Sequence, residues 1–155
     1  MGEVYRATDP RLGRDVAPQT YVQSIDGGTP EPLPVTGGRL SHDERRLVLA
    51  GAGPLTVYDL VSKERKTLPE TQGVSAVGWS EDSTAIYAKV RGHIPDQVFA
   101  IDVLSGRRRL VKEIAPSDRT GILSYTIADI VKDGAAYVIS VARTQSDLHM
   151  ISGLR

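Results

Sequence analysis

A short apolar strand, a polar turn around an aspartate and a second apolar strand recur in this chain, and that recurrence restricts the possible folds more than any other feature. The unit Gly38-Arg39-Leu40-Ser41-His42-Asp43-Glu44-Arg45-Arg46-Leu47-Val48-Leu49 returns as Val77-Gly78-Trp79-Ser80-Glu81-Asp82-Ser83-Thr84-Ala85-Ile86-Tyr87. A looser copy runs Ala128-Asp129-Ile130-Val131-Lys132-Asp133-Gly134-Ala135-Ala136-Tyr137-Val138. In each copy an apolar residue follows the turn aspartate by four places: Leu47, Ile86 and Tyr137. A second unit, an alternating strand ending in an acidic or small polar turn, occupies residues 55–60, 97–103 and 148–153, and also 21–26 with Gly27-Gly28 behind it. Short polar strands over 64–68 and 107–111 each lead to a proline, Pro69 or Pro116.

Period-two alternation of β-branched and aromatic residues, cut by Gly, Pro, Asp and Ser, specifies half-buried strands and tight turns. Even residues 122–131 read as strand, because Ser124, Tyr125, Thr126 and Ile127 favour it over a helix. Asp43 and Asp82 are 39 residues apart, and Asp59 and Asp102 are 43 apart. Four short strands per repeat at a period of about 40–45 residues is the signature of a propeller blade. A plain antiparallel meander or sandwich is the alternative on strand pattern alone, and the regular repeat favours blades. The expected fold is therefore all-β: a partial β-propeller of about three four-stranded antiparallel blades, its strands grouped as two, four, four and three. Residues 21–33 would then supply the outer strands of a blade whose inner strands lie elsewhere. A ring closes with roughly four to eight blades, so this one is expected to stay open, with apolar faces and strand edges near residues 19–25 and 146–151 left uncovered.

Charge and composition exclude several classes. Lys plus Arg and Asp plus Glu are 19 each, so the net charge is zero and no nucleic-acid footprint shows in the total. With no cysteine there is no disulfide framework, thiolate metal site or Cys nucleophile. Apolar runs fall far short of the roughly 20 residues of a spanning helix, and Glu3, Arg6, Asp9, Arg11 and Arg14 fall where a secretory signal would be apolar. The expectation is a soluble, cytoplasmic chain with neither nucleic acid nor membrane as partner.

Leu40-Ser41-His42-Asp43 and Trp79-Ser80-Glu81-Asp82 resemble the S-P-D-G turn of TolB-type propeller repeats, and Lys132-Asp133-Gly134 keeps the last two residues of that turn. His42 and Glu81 replace the proline, while Glu44 and Ser83 replace the glycine, so two of the three turns are expected to use another geometry. Residues 143–155 are similar to the closing strand of propellers appended to bacterial serine/threonine protein kinases. Residues 1–17, Met1-Gly2-Glu3-Val4-Tyr5-Arg6-Ala7-Thr8-Asp9-Pro10-Arg11-Leu12-Gly13-Arg14-Asp15-Val16-Ala17, resemble the end of the glycine-rich loop of those kinases and the hairpin that follows it. Only Gly2-Glu3-Val4 remains of that loop, and Val16-Ala17-Pro18-Gln19 stands where V-A-I-K would supply the phosphate-gripping lysine. No H-R-D, D-F-G or A-P-E occurs. The resemblance implies two regions: 1–19, a truncated kinase glycine-loop hairpin added to the N-terminal side of the sheets, and 20–155, the partial propeller. It also implies a kinase-propeller reading frame that lost most of its kinase domain, joined near Pro18.

Individual side chains add no catalytic constellation. His42, His93 and His149 each stand alone in sequence, and no G-x-S-x-G elbow accompanies them. Asp43, Glu44, Asp59, Glu81 and Asp82 lack calcium-loop spacing and read as turn formers. Arg107-Arg108-Arg109, with Lys112 nearby, reads as a solvated edge that resists strand pairing rather than a phosphate site, and Trp79 as a core residue. No catalytic, cofactor-binding or metal-ligating residue is assigned, and no cofactor is expected. The expected function is a non-catalytic protein-interaction or scaffold module that binds a protein partner or its own copies through open propeller faces. The alternatives are a serine/threonine kinase by resemblance, or a degenerate product with no selected role.

Overall fold

A computed structural model describes residues 8–9, 14–15, 20–49, 51, 53–90, 95–131 and 134–144. Its order is β1 (Thr8–Asp9), β2 (Arg14–Asp15), β3 (Thr20–Val22), β4 (Glu31–Leu33), β5 (Arg39–Leu40), β6 (Arg46–Val48), β7 (Thr56–Asp59) and β8 (Arg65–Thr67). Then come β9 (Val74–Trp79), β10 (Ala85–Val90), β11 (Asp96–Asp102), β12 (Arg108–Ile114), β13 (Ile122–Val131) and β14 (Ala136–Arg143). Strands β5–β8 and β9–β12 form two four-stranded meanders, and β1–β2, β3–β4 and β13–β14 form two-stranded sheets. Among the described residues pairing is antiparallel throughout and no sheet closes on itself. No helix among the described residues is long and apolar enough to cross a membrane.

The all-β expectation holds, and the grouping of strands follows the repeat. Residues 122–131 are strand as read from their β-branched content. The stretch 21–26 is shorter than expected: β3 stops at Val22, since Ser24 starts a turn by accepting the Gly27 amide at its carbonyl (3.1 Å) and the Asp26 amide at its hydroxyl (3.2 Å). Ile25 consequently stands wholly in solvent. The strand expected at 148–153 with its edge near 146–151, the turn at 132–133 and most of the N-terminal hairpin lie outside the described residues.

Alternation along each strand distributes side chains to two faces, and the sheets stack through them. Leu47 and Tyr58 meet Leu33 and Val35 on one side of the first meander. Val48, Val57 and Leu68 point to the other side, where they pack on Val74, Trp79, Ile86, Ala88 and Ile101 of the second. The opposite face of that second meander gives Val77, Tyr87, Val98 and Ile114 to Ile127 and Ile130 of β13. A bulge interrupts β9 here: Gly78 pairs with Tyr87 and Ala76 with Ala88, leaving Val77 as the extra residue and returning Trp79 to the face of Val74 and Ala76. A largely buried ion pair, Lys89 Nζ to Asp96 Oδ2 at 2.9 Å, lies at the margin of this layer, where the Tyr125 hydroxyl accepts the Asp96 amide at 3.0 Å.

The turns between β5 and β6 and between β9 and β10 correct one expectation. Glu44 and Ser83 do not force another geometry; they adopt the left-handed conformation a glycine would supply, with φ of 58° and 59°. The local hydrogen bonds select that shape. Ser41 Oγ donates to Asp43 Oδ1 (2.5 Å), accepts the Arg46 amide (3.0 Å), and the Ser41 carbonyl takes the Glu44 amide (3.0 Å). Ser80 repeats each contact with Asp82 (2.6 Å), Ala85 (2.9 Å) and Ser83 (2.9 Å). Ser83 Oγ also accepts the Asp43 amide at 3.0 Å, tying one turn to the other across the layers.

Candidate functional site

The turn aspartates point into their own loops, which leaves other residues of the same repeat to face outward. A cleft of about 380 Å³ opens at the end of the molecule where these turns gather, lined by Arg39, Leu40, His42, Gly78, Trp79, Glu81, Asp129 and Ile130. Arg39 and Leu40 come from β5, Gly78 and Trp79 from β9, and Asp129 and Ile130 from β13, so three of the sheets each contribute their first strand. Positions in the repeat coincide as well. Arg39, Gly78 and Asp129 each stand four residues before a turn aspartate, Leu40, Trp79 and Ile130 three before, and His42 and Glu81 immediately before.

The three walls converge. Arg39 Nη2 donates to the Ala128 carbonyl of β13 at 3.4 Å, and Trp79 Nε1 donates to the Arg39 carbonyl at 2.9 Å. Parallel layers sit about 10 Å apart, so a flat stack would separate β5 from β13 by roughly 20 Å, with β9 between them. The Arg39 side chain nonetheless reaches from β5 to β13. At Gly78 the β9 backbone comes close to β13, and a Cβ there would lie 3.1 Å from Asp129 Oδ1.

Electrostatically the cleft is mixed. The Arg39 guanidinium has the Ala128 carbonyl as its partner, while Asp129 Oδ1 accepts the Ile130 amide at 2.8 Å. Glu81 and His42 form no hydrogen bond or ion pair among the described residues. By contrast the turn acids are held by their loops. The Ser41 hydroxyl lowers the Asp43 pKa and the Ser80 hydroxyl that of Asp82, the Ser62 amide lowers Asp59, and the Ser105 hydroxyl lowers Asp102. The Thr120 amide, then Arg143, brings Asp118 down to about 2.

Sequence reasoning took Trp79 as core, and it is 5% exposed, yet its edge also walls the cleft. His42 and Glu81 were read as turn residues and are exposed at the cleft mouth; His93 and His149 lie outside the described residues. Arg107, Arg108 and Arg109 are exposed at the start of β12, the outermost strand of its meander, with Arg108 5.4 Å from the centre of the Phe99 ring. A bulge at Val111 interrupts the same strand. Arg39 and Asp129 were missed as cleft residues, although the repeat register that aligns them was already legible. Among the described residues no three His, Cys, Asp or Glu side chains are placed to hold a metal ion. No protein-family model matches the chain, and no curated protein matches it.

Proposed function

We propose that this chain is a non-catalytic binding module built as an open arc of β-propeller blades, of the kind used for protein interaction or scaffolding. The observation that carries the reading is the Arg39 contact with Ala128: repeat-equivalent first strands line one cleft, as blades about an axis would. The repeated turns support it, because the Ser41–Asp43 and Ser80–Asp82 networks fasten the strand ends while His42 and Glu81, which differ between the two copies, face outward. Rigid strands presenting variable loop positions suit recognition. The rival reading is the kinase suggested by Gly2-Glu3-Val4 and Val16-Ala17. A ligand that binds the folded chain raises its melting temperature by mass action, so ATP with magnesium separates the two. No shift in melting temperature is expected at millimolar ATP and magnesium; a reproducible, saturable shift would overturn the non-catalytic reading.

A further inference from the structure

The positions four before the turn aspartate hold a cation on one wall of the cleft, an anion on another and a glycine on the wall between them: Arg39, Asp129 and Gly78. We propose that the cleft binds a small zwitterion of the α-amino-acid type with an apolar side chain, its carboxylate held by Arg39 and its ammonium by Asp129. The proposal rests on the axial convergence of the three walls and adds a ligand class to it.

Arg39 and Asp129 are close enough for Arg39 to reach the preceding carbonyl, yet they form no ion pair with each other. The guanidinium fork has further N–H donors beyond the one on Ala128, and a planar carboxylate is the acceptor that matches it. Asp129 has one oxygen turned to the Ile130 amide and its second oxygen free of any hydrogen bond among the described residues. Gly78 lies close to the bonded oxygen, since a Cβ there would come within 3.1 Å of Asp129 Oδ1, and a larger residue at this position would press on the carboxylate. One position further along each wall, Leu40, Trp79 and Ile130 provide an apolar lining, and Leu40 is 46% exposed, leaving apolar surface for an aliphatic side chain. A volume of about 380 Å³ suits one amino acid or a dipeptide rather than a folded partner.

The chain has a single tryptophan, and it lies in the cleft wall, so Trp79 emission reports on occupancy. Four probes separate the two charges: leucine, leucine amide, N-acetyl-leucine and N-acetyl-leucine amide, compared at about pH 6, where the α-amino group is protonated. Leucine is expected to change the emission saturably and to bind roughly fivefold tighter than either singly blocked probe, the upper end for an exposed charge pair. Arg39→Gln should reduce leucine to the level of leucine amide, and Asp129→Asn to that of N-acetyl-leucine, with melting temperatures unchanged. Equal binding of leucine and one blocked probe, equal binding of all four, or no saturable response from any would overturn the proposal. The wild-type probe ranking decides even where a variant fails to fold. The nucleotide experiment bears on the module reading separately, so the two can fail independently.

Discussion

Four side chains among the described residues, Glu44, Lys63, Glu70 and Ser83, hold positive φ values ordinarily left to glycine. Lys63 shows the substitution within the molecule itself, since the repeat-equivalent turn after Asp102 has Gly106 at φ 74° where Lys63 has 62°. There the lysine side chain pairs with Glu31 at 2.8 Å and fastens the β3–β4 sheet to the first meander. Glu44 and Ser83 have near-identical φ but different surroundings, which makes them a controlled pair. The left-handed conformation costs a side-chain-bearing residue roughly 1–2 kcal/mol, part of which is offset by the greater unfolded freedom of glycine. Glu44 is exposed, so Glu44→Gly is expected to stabilise the fold by roughly 0.5–1 kcal/mol. Ser83 is 2% exposed and its hydroxyl accepts the Asp43 amide, so Ser83→Gly leaves that amide unpaired and should destabilise by about 1 kcal/mol despite the same backbone relief. Urea unfolding midpoints that move in the same direction for both variants would contradict this account.

At the scale of the element, each meander is pinned by acid-centred turns. Asp43, Asp59, Asp82 and Asp102 all have folded-state pKa values below the ordinary 3.8, and Asp118 titrates near 2. A carboxyl whose pKa is lowered on folding contributes stability above its unfolded value and loses it as the pH falls through its folded value. Stability should therefore be level from neutrality to about pH 4 and decline from there toward pH 2. Asp82→Asn, which removes one titrating turn, is expected to make that decline shallower; the measurement is the urea midpoint as a function of pH. A midpoint that climbs on acidification would show that the turns do not depend on ionised aspartate. These turns also mark what the sequence could reveal. Strand positions, the register of Asp43 with Asp82, and Trp79 in the core were legible because alternation and turn chemistry are local. The left-handed Glu44 and Ser83 were not, because a hydrogen-bond network outweighs their propensity. Nor was the placement of Arg39 and Asp129 on facing walls of one cleft, which depends on the Arg39 side chain reaching β13 over 89 residues of chain.

Across the whole molecule, coverage is unequal. The β5–β8 meander is packed on both faces, against Leu33 and Val35 on one side and Val74 and Ile86 on the other, and β9–β12 is likewise packed on both. The β3–β4 and β13–β14 sheets each contribute to a single cluster, from Val22 and Leu33 in one and Ile127, Ile130 and Ile139 in the other. Several of their other apolar side chains among the described residues are exposed: Tyr21 is 55% exposed, Leu123 73% and Val138 55%. In stacked repeats most stability comes from neighbour interfaces, and an uncovered end lowers the stability of every layer behind it. A second copy offers ends of the same shape and composition, and a two-fold dimer is the simplest assembly that covers them. Two arcs of about three blades would together fall within the four to eight that close a ring. We therefore predict that the 155-residue chain self-associates and that its melting temperature rises with protein concentration. Light scattering after size exclusion at micromolar concentration provides the direct measurement. A single 16.8 kDa species that unfolds cooperatively at a concentration-independent temperature would mean that one copy is stable with both ends bare, and the dimer would have no physical basis.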